Sequence, residues 1–146
     1  MPPLREALKA HLTSDSTLTA LLTGGVLDAD ALPMDGGGAG SLPLAVDGVS
    51  VRPFAVLRWR GTSAKEIPWK TERRTLEVYI YQERGYDIIE QAKRRIKGLL
   101  IRQMVKADDA AICMFHWVQD SGEFASPELG NLACEMSRFF VDYIRK

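Results

Sequence analysis

Cysteine, histidine and long apolar runs are all scarce in this chain, and each scarcity removes a class of explanation. Of 146 residues, two are cysteines, Cys113 and Cys134, and two are histidines, His11 and His116. Two thiols without CxxC or Cys/His spacing make neither a disulfide framework nor a zinc site, and they read as buried thiols of a reducing compartment. No apolar run approaches the roughly 18–20 residues that a membrane-spanning helix needs. The opening MPPLREALKAHLTSD is broken by Arg5, Glu6, Lys9 and His11. It therefore lacks the apolar core of a signal peptide, and folding in the cytosol is expected. HExxH, a nucleophile elbow and an acidic magnesium-holding turn are also missing from the sequence. Cys113 and His116 lie three apart in a predicted strand, so their side chains point to opposite faces and form no nucleophile–base pair. His116 and Cys134 would meet only in one register of their two strands. His116 reads as a strand residue on the more polar face. An enzyme is not expected, nor is a cofactor or a metal.

Glycine is plentiful in one place only. The stretch from 24 to about 50 holds DGGGAGS at 35–41, a flexible loop by composition. It lacks the Lys-Ser/Thr that follows a phosphate-cradling loop, so nucleotide binding is not expected there.

What is present is a core and an uneven charge. Apolar residues make up 46% of the chain, enough for one domain to bury a core without staples. Net charge is zero, yet residues 52–106 carry 14 Lys/Arg against 6 Asp/Glu, leaving 5 against 13 elsewhere, or +8 against −8. That polarity either pairs within one chain or orients one copy against the next.

Periodicity predicts a helix over 3–12 with Leu4, Ala7, Leu8 and Leu12 inward. A second, short helix carries Leu18, Leu21 and Leu22 and is capped by Ser14 or Asp15. Val26 and Leu27 suit a short edge strand. A strand over about 53–60 and another over 73–82 follow. In the second, Leu76, Val78 and Ile80 face the core while Glu77, Tyr79 and Tyr81 face away. A helix over about 86–104 puts Ile89, Ala92, Ile96, Leu99 and Leu100 on one stripe, with Gly98 packed closely against the sheet. Two strands close the chain, about 111–119 and 131–144, the latter long enough to carry a bulge. The order α-α-β-β-α-β-β predicts an α+β domain. Its antiparallel sheet has about four strands, with one long helix and the N-terminal helices packed on one face.

The connection around 61–72 is long, basic and aromatic. It is predicted to be a protruding β-hairpin loop, with Trp69 an interface anchor and Lys65, Lys70, Arg73 and Arg74 its rim. Tyr79 and Tyr81 join these as candidates for contact with another subunit or partner. Alternatively, the protein's own loops or helices cover them. Lys65, Lys70, Arg73, Arg74, Arg94, Arg95 and Lys97, with Trp69 as a stacking platform, also suit a nucleic-acid-binding module, against which the zero net charge argues.

The element order resembles the small tail-terminator and tail-completion (head-tail joining) proteins of long-tailed bacteriophages. The similar stretches are LREALKAHLTSDSTLTALL, GGVLDADALP, RPFAVLRW, RRTLEVYIYQ running into GYDIIEQAKRRIKGLL, and the terminal ICMFHWVQDSGEF and LACEMSRFFVDYIRK. The resemblance implies a structural virion protein without catalytic residues. It implies a ring, commonly of six copies, that caps the tail tube and joins it to the head connector. Its partners would be further copies of itself, the tube protein and the connector, with DNA passing through unread and no membrane involved. A head-completion or neck adaptor is the alternative.

Overall fold

A computed structural model describes residues 3–29, 50–64, 71–101, 103–107 and 110–145. Lys65, Trp69, Lys70, the glycine-rich 35–41 and the acidic pair Asp108–Asp109 lie outside them. Helix α1 (Leu4–Thr13) buries Leu4, Ala7, Leu8 and Leu12, the four positions that its spacing selects. Helix α2 (Ser16–Leu21) starts at Asp15, whose side chain accepts a hydrogen bond from the Leu18 N–H at 2.9 Å, satisfying one of the free donors at a helix start. The chain then turns through Gly25, at φ +92°, into strand β1 (Val26–Asp28).

Strands β2 (Phe54–Ala64) and β3 (Thr71–Gln82) form an antiparallel pair that runs further toward the hairpin tip than the sequence suggests. Ladder pairing reaches Ala64↔Glu72, past a bulge between Trp59 and Thr62. The connection between the two strands is therefore residues 65–70, about half the expected length. Helix α3 (Asp87–Leu100) follows, burying Ile89, Ala92, Ile96 and Leu100. It stops four residues short of its apolar pattern because Ile101 turns extended and bridges to Phe115. Tertiary pairing overrides local periodicity there.

Strands β4 (Ala110–Asp120), β5 (Phe124–Ser126) and β6 (Leu132–Arg145) complete the sheet. The spatial order is β1-β2-β3-β6-β4, with β5 also paired to β6. Among the described residues there are six strands rather than about four, and β1 runs parallel to β2 while the other pairs are antiparallel. The expected bulge in the last strand falls elsewhere: β6 pairs with β3 in unbroken register, and the extra residues sit in β4, near Ala111 and Val118.

The three α-helices of the described residues cover one face, as expected for an α+β fold. Their leucines and isoleucines pack on Ala55, Leu57, Leu76, Val78, Ile80, Phe139 and Val141. Gly98 departs from expectation: it is exposed, and a Cβ there would meet nothing within 4 Å. On the other face a smaller apolar cluster joins Phe54, Val56, Tyr81 and Cys134 to Leu129 and Leu132. A short 3-10 turn, Pro127–Leu129, presses Leu129 onto this face. It leaves through Gly130 (φ +68°) and Asn131 (φ +60°), two residue types that tolerate the left-handed region.

Candidate subunit interface

The sheet face away from the helices is layered by charge. Alternation along β3 points Arg73, Thr75, Glu77, Tyr79 and Tyr81 to this side, and the β3–β6 register sets Asp142, Phe140, Arg138, Met136 and Cys134 beside them. Glu77 lies at the bottom, its side chain 4% exposed. Arg60 Nε donates to its Oε1 at 2.5 Å and Arg138 donates to its Oε2 at 2.8 Å, while the Tyr79 hydroxyl reaches Oε1 at 3.3 Å. Burial alone would raise the Glu77 pKa, but the two guanidinium hydrogen bonds outweigh it and hold the carboxyl below its usual range. One turn of the ladder away, Arg73 grips Asp142 through both carboxylate oxygens, at 2.7 and 3.0 Å, and lies 4.5 Å over the Phe140 ring. His116 Nε2 sits 3.2 Å from the same carboxylate.

The carboxylates are therefore sunk and the cations lie over them. Arg60 is 48% exposed, Arg138 34%, Arg73 33% and His116 50%, against 12% for Asp142. Glu77 takes two arginines, Asp142 takes one with the His116 ring beside it, and these contacts fix the direction of the side chains. The result is a pre-aimed, arginine-rich surface of the kind enriched in protein interfaces. A shallow hollow of 460 Å³ opens in it, lined by Arg60, Thr75, Glu77, Val118, Arg138 and Phe140.

The sequence-selected residues fare differently. Arg73 lies on this face, engaged with Asp142. Arg74 points to the helix side, its guanidinium 5.8 Å from the Trp59 ring. Tyr79 is half-buried beneath Arg58, at 5.8 Å from its ring centroid. Tyr81 leaves the set of surface candidates: it is 1% exposed, stacked on Phe54 at 4.8 Å and covered by the turn after β5. That outcome is the covering of the tyrosine face by the protein's own chain. Arg60, Glu77, Arg138, His116 and Asp142 were missed as a group. Alternation places Glu77 on the polar face, but its partners come from strands whose register the sequence does not state.

The basic helix α3 is also tied inward. Lys93 Nζ lies 2.6 Å from Glu135 and 3.0 Å from Glu90, Lys97 lies 2.7 Å from Asp120, and Arg95 makes two hydrogen bonds to Asp15. With Arg73–Asp142, the Lys93–Glu135, Lys97–Asp120 and Arg95–Asp15 pairs join the positive middle of the chain to its negative ends within one molecule. Cys113 faces the helix-side core while His116 is exposed on the opposite face, as their spacing requires. Cys134 pairs across the sheet with Tyr81 and Phe124, far in register from His116, which sits opposite Phe140.

Fold and surface together define an α+β domain with helices on one face of a mostly antiparallel sheet and a layered arginine–carboxylate surface on the other. Among the described residues no cluster of three or more His, Cys, Asp or Glu could hold a metal ion. No protein-family model and no curated protein matches the sequence. The fold is similar to that of a chain from the solved "virion of native gene transfer agent (GTA) particle". The TM-score is 0.66 at 11% identity, over 99% of this chain and 96% of that one.

Proposed function

We propose that this protein is a structural subunit of a phage-like particle, in which copies form a ring that terminates the tail tube and joins it to the head connector. The observation that carries this reading is the fold likeness to a chain of a gene transfer agent virion, which spans nearly the whole of both chains. The layered arginine face supports it: its carboxylates are consumed by arginines, an arrangement that suits contact rather than chemistry. Six copies are expected, with the tube protein and the connector as partners. DNA passes through the lumen without sequence reading, and the protein resides in the virion after assembly in host cytoplasm. The basic hairpin tip with Lys65, Trp69 and Lys70 belongs to the proposed contact surface, as do Arg73, Arg74 and Tyr79.

The test is solution mass and negative-stain imaging, alone and after mixing with tail tubes. Rings on tube ends are the expected result. A protein that stays monomeric at high concentration and ignores tubes refutes the reading. Localisation at the head side of the neck would instead favour a head-completion or neck adaptor.

A further inference from the structure

The arginine-rich sheet face holds more cation than its sunken carboxylates engage. Strands β2, β3, β6 and β4 put four arginines on it, Arg58, Arg60, Arg73 and Arg138, against two carboxylates, Glu77 and Asp142, a balance of +2 with His116 neutral. A guanidinium offers five N–H donors. Arg73 and Arg138 engage those carboxylates through Nε and Nη2, and among the described residues their Nη1 groups have no hydrogen-bond partner. Arg60 binds Glu77 through Nε and is 48% exposed. Glu77 thus fixes Arg60 and Arg138 on the rim of the 460 Å³ hollow before any partner arrives, which removes much of the ordering cost of a new contact.

The lining of that hollow is mixed. Its guanidinium groups suit an oxyanion, while Val118 and Phe140 suit an apolar neighbour. A carboxylate on a protein surface beside an apolar side chain supplies both. A nucleic-acid backbone fits less well. A balance of +2 above buried carboxylates is small for a polyanion, and the Phe140 and Tyr79 rings lie under Arg73 and Arg58 rather than bare for base stacking.

The matching acid lies on the chain itself. With 19 Lys/Arg against 19 Asp/Glu the whole sums to zero, so everything outside those four arginines and two carboxylates sums to −2. Glu123, in the turn between β4 and β5, is exposed and has no side-chain partner among the described residues. Phe124 beside it is 36% exposed. Glu6 is also exposed and unpartnered among the described residues, but it follows Arg5, and no large apolar side chain of its helix is exposed.

We infer that the hollow lined by Arg60 and Arg138 is a carboxylate site that takes Glu123 of a second copy of this chain, with Phe124 of that copy against Val118 and Phe140. This contact deepens the ring reading and rests on it. Two different surfaces meet, so the contact is heterologous, and repeating it closes a ring where the rotation allows.

The experiment is carbodiimide cross-linking, which couples an amine to a carboxylate in contact with it. Rings are assembled from equal parts of heavy-nitrogen-labelled and unlabelled Arg60→Lys chain, a change that keeps a cation over Glu77. Mass spectrometry should find position 60 joined to Glu123 in peptide pairs of mixed isotope, beside a same-chain link to Glu77. Glu123→Gln, at an exposed turn, should stay folded by circular dichroism and raise the concentration at which rings form by about tenfold. Rings in which position 60 links only to Glu77, or Glu123→Gln rings that form at the wild-type concentration, overturn the contact and leave the ring standing. Binding of a short duplex DNA at low salt that Arg60→Gln abolishes assigns the face to phosphate and overturns the contact as well. A wild type that never assembles, with or without tubes, overturns both.

Discussion

Lys93→Met should cost little at pH 4.5 and several kcal/mol at pH 7. Lys93 projects from α3 onto the sheet, its side chain 13% exposed, and its ammonium meets Glu135, 4% exposed, at 2.6 Å. Glu90 lies at 3.0 Å and Asp120 at 3.8 Å from the same nitrogen. Methionine keeps the length of the stem and removes the cation. Glu135, with Oε2 already unpartnered, is then a buried carboxylate with no countercharge. Breaking such a pair typically costs about 3–5 kcal/mol. Protonation caps the loss: neutralising a glutamate of ordinary pKa ~4.3 at pH 7 costs about 4 kcal/mol, at ~1.4 kcal/mol per pH unit.

The sign follows from burial. Burial pushes the Glu135 pKa up, Lys93 opposes it and the neighbouring Glu90 adds to it. Removing Lys93 raises it further. A folded-state pKa above the unfolded value means that the folded state holds the proton longer. Stability is therefore kept below about pH 4 and lost as pH rises through the folded pKa. The deficit of Lys93→Met relative to wild type should be under about 1 kcal/mol near pH 4.5 and reach roughly 3–4 kcal/mol at pH 7. Lys93→Met/Glu135→Leu should return to within about 1 kcal/mol of wild type at pH 7, because the buried charge is gone. Urea unfolding followed by circular dichroism at the two pH values measures all three. A deficit equal at both pH values, or a double variant no better than the single, refutes the reasoning.

Three further outcomes are expected. Gly98→Ala should stabilise by roughly 0.5–1 kcal/mol, since the position is helical, exposed and open around Cβ; a destabilisation in thermal melts would mean that the space is filled. Asp15→Ala should lower the melting temperature at neutral pH by removing the α2 cap and the Arg95 pair. Hydrogen bonds from Arg95 and then from the Leu18 N–H hold the Asp15 carboxyl down at about 2, so its contribution is present above the ordinary aspartate pKa and lost as pH falls toward 2; a melting difference that persists at pH 2 would contradict this. Burial pushes the Cys134 thiol up to about 12, and Cys113 is 1% exposed, so a thiol reagent at pH 8 should label both only at the rate of unfolding, and rapid labelling of native protein would contradict the burial.

Much of the fold was legible because short-range rules govern it. The leucine spacing of α1, the cap at Asp15, the stripe of α3 and the alternation of β3 each depend on neighbours within a few residues. The fold class follows from their order. The end of α3 was not legible, because Ile101 leaves the helix for a strand far along the chain. The bulges were not legible either. The sequence suggests one in the last strand, yet that strand is the straight one, held on both sides, and its edge-side neighbour β4 absorbs the extra residues.

The surface divides along the same line. Residue type and alternation alone put Glu77 and Tyr79 on one face and gave the middle of the chain its positive charge. Only the tertiary structure decided that Arg60 and Arg138 close over Glu77, that Arg73 takes Asp142, that α3's cations turn inward to Asp15, Asp120 and Glu135, and that Tyr81 is sealed beneath the turn after β5. Those contacts join residues 17 to 80 positions apart. They depend on strand register and helix docking, which the whole core sets and no local pattern carries.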